Sequence, residues 1–484
     1  MYSLYIYFMR NAFGSNIILI LCINLLIKPL YIFGIDAEVQ NILGTNTYGL
    51  YFALFNFCFL FQFVLDLGIQ NFGSRYLGEN KSRLVDFFKD AFSTKIVLIL
   101  IFLMSITVGY LVLGFDMENM KFLYLIGIQL ILTSFVLFLR AINTAMGNLR
   151  SESYFSALDK FLLLIAMSYI LYFSNLKEIF SLEYFILVQI VCTAITFFVI
   201  LIYLFKKKTL SKPSFSFEKS TSLIKQSFPF ALILLTMTLY TRMDGVMLKK
   251  LLSDNNYQAG VYAAAFRIID ALNIIGFLFA GFLLPLFASQ TKKEEWNHLW
   301  EQSFRLLLPI TTVICFSGIV YSQEIMSWLY VDFSSQYSKV LQILVCSFVA
   351  NSIGYLFGVL LTAKANMYKL NLYYSLGIVS NLLLNLILIP KYGAIGAAIA
   401  TCFTQSIVLL ALLYLSYKDL HFSTSFKLII QSLIFVSITA LVFTQFYQIL
   451  SFHWVIQMSF SALISILVSF LLQILSINYF KEIL

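Results

Sequence analysis

Charge is what this sequence has least of. Asp, Glu, Lys and Arg together make 11% of its 484 residues, against 61% hydrophobic ones. A water-soluble domain of that length needs a polar shell that this composition does not supply, so a soluble enzyme or binding module is excluded. Histidine is scarce too: His298, His421 and His453 fall in or near loops and form no ligand spacing. The six cysteines, Cys22, Cys58, Cys192, Cys315, Cys346 and Cys402, each sit inside an apolar run, with no two close in sequence. That scatter excludes a zinc cluster and a disulfide framework, and the cysteines read as small core residues. No metal or cofactor is expected. A small-residue cleavage site is missing from MYSLYIYFMRNAFGSN, which leads straight into a full-length apolar run, so the first helix is expected to be retained.

What is present is one apolar run after another, from Ile17 to Leu475. A hydrocarbon layer of about 30 Å takes roughly 20 apolar residues per helix. Barrel strands would alternate over roughly 10 residues, and open sheets would leave edge N–H and C=O groups unpaired in lipid. The expectation is therefore an all-α polytopic membrane bundle. Run length gives about 14 transmembrane helices, near 13–34, 47–68, 95–115, 121–143, 157–174, 183–205, 227–248, 259–286, 304–322, 338–362, 371–390, 393–416, 426–447 and 455–479. The eleventh and twelfth are split only by the turn Pro390-Lys391-Tyr392-Gly393.

The formal charge of +9 answers to anionic phospholipid, not to nucleic acid, because most of the cations sit in short loops. With the N-terminus inside, cations such as Lys89, Lys95, Arg140, Arg150, Lys206 and Lys207 fall on the inner side. Lys and Arg are then in roughly threefold excess there, which places both termini in the cytoplasm. No loop is long enough to hold a soluble catalytic domain. Residues 1–205 form an N-terminal six-helix bundle, 206–226 a cytoplasmic linker carrying Pro213, 227–416 a second six-helix bundle, and 417–484 an extra helix pair. The halves repeat: TYGLYFALFNF (47–57) aligns with QAGVYAAAFRI (258–268), setting Gly49 over Gly260 and Tyr51 over Tyr262. A second match, 147–165 over 365–383, keeps span n over span n+6, so the two pseudo-symmetric halves share one orientation.

The stretch 227–290 carries Arg242-Met243-Asp244, a short outer turn, then Gly260, Tyr262, Ala263, Ala264 and Ala265, and ends near Leu284-Pro285. With SNLLLNLILIP (380–390) and IPKYGAIGAAIAT (389–401), it resembles the polysaccharide flippases of the multidrug/oligosaccharidyl-lipid/polysaccharide exporter superfamily. Length, span count, orientation and repeat extend the resemblance over the whole chain. It implies a V-shaped pair of six-helix bundles around a cavity that opens alternately to each side. The implied substrate is a polyprenyl-pyrophosphate-linked oligosaccharide, an O-antigen or capsule repeat unit, moved across a bacterial inner membrane. Membrane lipid and other polysaccharide-assembly membrane proteins are the implied partners.

Such a head group cannot cross hydrocarbon, because each unpaired hydroxyl costs several kcal/mol, so a carrier needs a wet and partly cationic cavity. Lys28 and Arg242 hold roughly equivalent places in the outer parts of spans 1 and 7, and Arg267 lies near the middle of span 8. These three are the candidate pyrophosphate-binding groups. Each has an alternative: Lys28 and Arg242 snorkel to the outer surface, and Arg267 pairs with Asp270 one turn on. Asp244 and Asp270 are candidate sites for coupling to a proton or sodium gradient, or structural ion-pair partners. Asp66 and Arg140, near the cytoplasmic span ends, read as gate or interface contacts. Asn381 and Asn385 share one face of span 11, to bind sugar hydroxyls or another helix. A drug exporter or a peptidoglycan-precursor flippase of the same superfamily is the nearest alternative. A membrane polymerase or glycosyltransferase would need an acid at the outer face, where only Asp36 and Glu38 stand, so no enzyme is expected.

Overall fold

The computed structural model describes residues 23–24, 26–79, 84–207, 216–254, 256–364, 367–449 and 452–476. Among these every regular element is a helix, as the apolar runs require. The chain divides into two compact units, Met1–Gly260 and Val261–Leu484.

In the first unit α1 covers residues 23–24 and 26–43, with a π turn at Ile32–Asp36 before its last stretch Ala37–Leu43. It is followed by α2 (Thr45–Leu60), α3 (Ile69–Glu79), α4 (Leu84–Val112), α5 (Met120–Ala145), α6 (Leu149–Ser168), α7 (Leu182–Lys206) and α8 (Phe217–Leu251). The chain reverses at Gly44, at Leu113–Asp116, at Ser174–Ser181 and between α8 and Tyr257, all on one end of the unit, called here the Gly44 face. Contacts on that face tie the turns together: Lys250 Nζ donates to the Leu113 carbonyl at 2.6 Å, Lys177 pairs with Glu38 at 3.0 Å and Lys121 with Glu183 at 2.8 Å. α9 (Tyr257–Ser289) starts in the first unit and continues into the second. The second unit adds α10 (Lys293–Val320), α11 (Ser322–Leu329), α12 (Ser335–Lys364), α13 (Met367–Tyr392), α14 (Ala394–Leu420), α15 (Phe426–Ile449) and α16 (Trp454–Leu471). There α14 packs on α12 and α13, and the last pair, α15 and α16, packs on α10.

Eleven of these helices are long and apolar enough to cross a membrane. Of the other expected spans, the first begins outside the described residues. The second corresponds to α2, which has 16 residues before its 3-10 turn, and the seventh to α8, which is rich in hydroxyls and charges from Thr236 to Asp244. Several ends differ from the sequence-based limits. α1 does not stop at 34 but winds on to Leu43, where Gly44 (φ 78°) reverses the chain. α4 begins eleven residues before the expected limit of 95, because LVDFFKDAFSTK is an amphipathic helical start and not a loop. Residues 217–226, placed in the linker from sequence, form the first turns of α8; most of the remaining linker, 208–215, lies outside the described residues. Pro390 is inside α13, and the reversal waits for Gly393 (φ 57°).

The sharpest irregularity separates α2 from α3. A 3-10 turn, Gln62–Leu65, leads into Asp66, then Leu67 (φ 42°) and Gly68 (φ 80°). Gly68 presses its backbone on α8, and a Cβ there would overlap the Ser227 carbonyl, so only glycine fits.

Candidate functional site

A helix break frees carbonyls that have no partner in lipid. At Leu65 the missing donor is Lys95, which the sequence placed at the inner end of the third span. Lys95 is in fact 1% exposed, inside the core of the first unit. Its ammonium has three N–H donors and meets three acceptors: the Leu65 carbonyl at 2.8 Å, Asp66 Oδ1 at 3.1 Å and Ser134 Oγ at 2.8 Å. The rings of Phe135 and Phe138 stand 5.8 Å and 5.6 Å from it. Asp66 Oδ2 also accepts from the Gln70 amide at 3.1 Å, capping α3. Asp66 is thus the anchor of the break, within a closed network.

Lys28 lies deeper than its sequence position suggested. Because α1 runs to Leu43, Lys28 is 15 residues from the Gly44 end, about 22 Å at the helical rise. Its face of α1 is turned to α6: Asn24 Nδ2 donates to Ser156 Oγ at 2.9 Å, and Lys160 Nζ stands 5.1 Å from the Tyr31 ring. Lys28 is half-buried, within electrostatic reach of Asp159, Arg140 and Lys160. Arg140 on α5 pairs with Glu152 on α6 at 2.7 Å. Five charged side chains from three helices therefore meet well inside the unit. Facing lipid they would be costly, so this surface faces the bundle interior or water. Higher up, the hydroxyl of Tyr172, in the π extension Tyr169–Phe173 of α6, donates to the Gly34 carbonyl in the π turn of α1 at 3.0 Å.

Arg242 and Asp244 point differently, as their two-residue spacing dictates. Arg242 is half-buried with its guanidinium carbon 5.1 Å from the Phe59 ring of α2, while Asp244 is 1% exposed. Lys28 turns to α6 and Arg242 to α2, so the structure does not bring these two cations together. Asp36 and Glu38 are in helix α1 and not in an open loop. Asp36 accepts from Tyr48 Oη at 2.6 Å, and Glu38 belongs to the Lys177 pair.

In the second unit Arg267 and Asp270 are both half-buried, one turn apart on α9. Asn381 and Asn385 are fully buried on α13, with Asn385 Nδ2 donating to Asn381 Oδ1 at 3.0 Å. Leu284 is exposed, and the side chain of Pro285 lies outside the described residues. Tyr262, aligned with Tyr51 by the repeat, shares a 3.2 Å hydrogen bond with Thr401 of α14. Its counterpart Tyr51 joins a buried network in the first unit, where Gln129 Nε2 donates to Gln189 Oε1 at 2.6 Å and Gln189 Nε2 to Tyr51 Oη at 3.2 Å. Sequence reading missed this trio. Its signal was two glutamines, Gln129 and Gln189, within otherwise apolar runs.

The family model described as polysaccharide biosynthesis protein matches residues 13–291, more than half of the chain, and the chain belongs to that family. The resemblance carried by residues 227–290 is thereby confirmed. No curated protein matches the chain. Among solved structures, a lipid II flippase MurJ in an inward closed conformation is similar at 20% identity and a TM-score of 0.66, covering 99% of this chain and 100% of that one. An inward-facing multidrug resistance MATE transporter of the MOP superfamily is similar at 12% identity and a TM-score of 0.64, covering 84% and 99%. The Vibrio cholerae MATE transporter VcmN is similar at 14% identity and a TM-score of 0.57, covering 85% and 98%. These likenesses show the fold, a polytopic helical membrane bundle.

Proposed function

We propose that this protein is a flippase. It carries a polyprenyl-pyrophosphate-linked oligosaccharide, an O-antigen or capsule repeat unit, from the cytoplasmic to the outer leaflet of a bacterial inner membrane. The observation that carries the reading is the half-buried Arg242 inside α8, in a chain whose family is defined by polysaccharide biosynthesis. A guanidinium held between helices is a bidentate donor for phosphate. Arg242 in the first unit is the cation we assign to the pyrophosphate; Lys28, turned to α6, and Arg267, in the second unit, are proposed separately as further phosphate-binding cations. Asp244 and Asp270 are assigned to coupling with a proton or sodium gradient, and transport proceeds by alternating access without covalent chemistry. In this reading the Gly44 face is the outer one and both termini are cytoplasmic. Lipid II is the second substrate to weigh, because the MurJ likeness extends over 99% of the chain where the drug exporters stop near 84%.

Deleting the protein in its own host is the direct test. Polyprenyl-linked repeat units trapped on the cytoplasmic face, with loss of surface polysaccharide, are the expected result. Normal surface polysaccharide with altered drug sensitivity would instead make the chain a drug exporter. In complemented cells Arg242→Ala and Arg267→Ala are each expected to lower flipping at least tenfold, with normal membrane insertion by immunoblot. Full transport by both variants would remove the cationic-cavity assignment.

A further inference from the structure

Three of the six cysteines, scattered in sequence, fall on neighbouring helices of the second unit. Cys315 on α10, Cys346 on α12 and Cys402 on α14 are free thiols. α10 and α12 are antiparallel neighbours whose register is fixed by two contacts. Gln342 Nε2 donates to the Ile319 carbonyl at 3.1 Å and to Ser322 Oγ at 2.9 Å. Gly318 brings the helices so close that a Cβ on it would meet Val345 Cγ2 at 3.0 Å. One turn further along each helix, the same register sets Cys315 against Cys346. Cys346 also donates to the Gln342 carbonyl at 3.4 Å. Cys315 is buried and Cys346 exposed, so an outside reagent meets Cys346 first. Disulfide formation needs sulfurs to close to about 2.05 Å across helices whose backbones can approach, and the glycine contact one turn away supplies that approach.

We propose that Cys315 and Cys346 form an oxidisable dithiol that closes into a disulfide tying α10 to α12 when a hydroperoxide reaches Cys346. In the first step the Cys346 sulfur takes the terminal oxygen of the hydroperoxide. The O–O bond breaks, the thiol proton ends on the departing alkoxide, and the products are a sulfenic acid and an alcohol. In the second step the Cys315 sulfur attacks the Cys346 sulfur and the hydroxyl leaves as water with the Cys315 proton. The two thiols lose two electrons in all, and these reduce the O–O bond. Lipid hydroperoxides are the apt class of oxidant, since α12 is one of the membrane-crossing helices and Cys346 is on its exposed side.

The test uses the full chain in lipid nanodiscs treated with cumene hydroperoxide, alkylated with N-ethylmaleimide and digested without reductant. The expected product is a Cys315–Cys346 cross-linked peptide that a reductant dissolves. It should persist in Cys402→Ser and vanish in Cys315→Ser, where dimedone should instead label Cys346 as the stranded sulfenic acid. Complete alkylation of both cysteines after hydroperoxide treatment, or a bond from Cys346 to Cys402, would overturn the proposal.

Discussion

A Lys95→Met variant is expected to lose about 3–5 kcal/mol of stability, the usual result of removing one partner of a buried ion pair. In detergent this appears as a thermal midpoint many degrees below wild type and a sharply lower yield of monodisperse protein. Three groups lose their donor at once. The Asp66 carboxylate, 14% exposed, is left without its cation. Among the described residues the Leu65 carbonyl is left with Ser134 Oγ, 3.4 Å away, as its side-chain donor. Ser134 itself loses its bond to the ammonium. Asp66→Leu alone strands the Lys95 ammonium in a nest of Phe135 and Phe138 and removes the cap on α3. The double variant Lys95→Met/Asp66→Leu is expected to regain most of the loss, because it leaves no buried charge. It should remain about 1 kcal/mol short, the value of the lost cap. Thermal unfolding of the four proteins followed by size-exclusion fluorescence gives the cycle. Equal midpoints for the double variant and Lys95→Met would show that the pair is not a closed unit.

That pair also marks how far sequence reading goes. Apolar run length finds helices because burial in lipid demands about 20 such residues, and α5, α7 and α15 lie close to where they were expected. The same logic fails where charge enters a helix. Lys95 reads as a cation at the inner end of a span since nothing local says that Asp66, 29 residues earlier, will meet it at 3.1 Å. Once its partners are placed, its burial follows from three matched hydrogen bonds. Lys28 was legible as an intramembrane cation, but its depth was not, because the π turn and the seven residues Ala37–Leu43 extend α1 through a segment whose Asp36 and Glu38 suggested a loop. Asp36 is tolerated there through Tyr48, again a partner that only the fold supplies. The Asn381–Asn385 pair was legible in kind and spacing, since an i, i+4 relation is local.

The repeat, read from two weak alignments, leads to the second prediction. Gly49 and Gly260, equivalent positions in the two halves of the sequence, touch. A Cβ on Gly49 would overlap the Asn256 carbonyl oxygen and lie 2.7 Å from the Gly260 nitrogen; one on Gly260 would overlap the Thr45 carbonyl oxygen. Gln40 Nε2 fastens the crossing by donating to the Gly260 carbonyl at 3.1 Å. The obstacles are backbone atoms, so no rotamer change relieves them, and α2 and the start of α9 must part to admit one methyl group. Gly49→Ala and Gly260→Ala are each expected to cost about 1–3 kcal/mol, the range for overpacking, and to lower flipping at least tenfold by holding the Gly44 face ajar. Two further results separate this from general damage. The double variant should cost clearly less than the two singles combined, because one parting relieves both overlaps. A cysteine at Thr45 should react faster with a membrane-impermeant maleimide when Gly49 or Gly260 is alanine, and at the wild-type rate in Gly34→Ala, where a Cβ meets nothing within 4 Å. Additive costs with unchanged Thr45→Cys labelling would mean that the crossing can repack without opening, and that the closure of this face rests on other contacts.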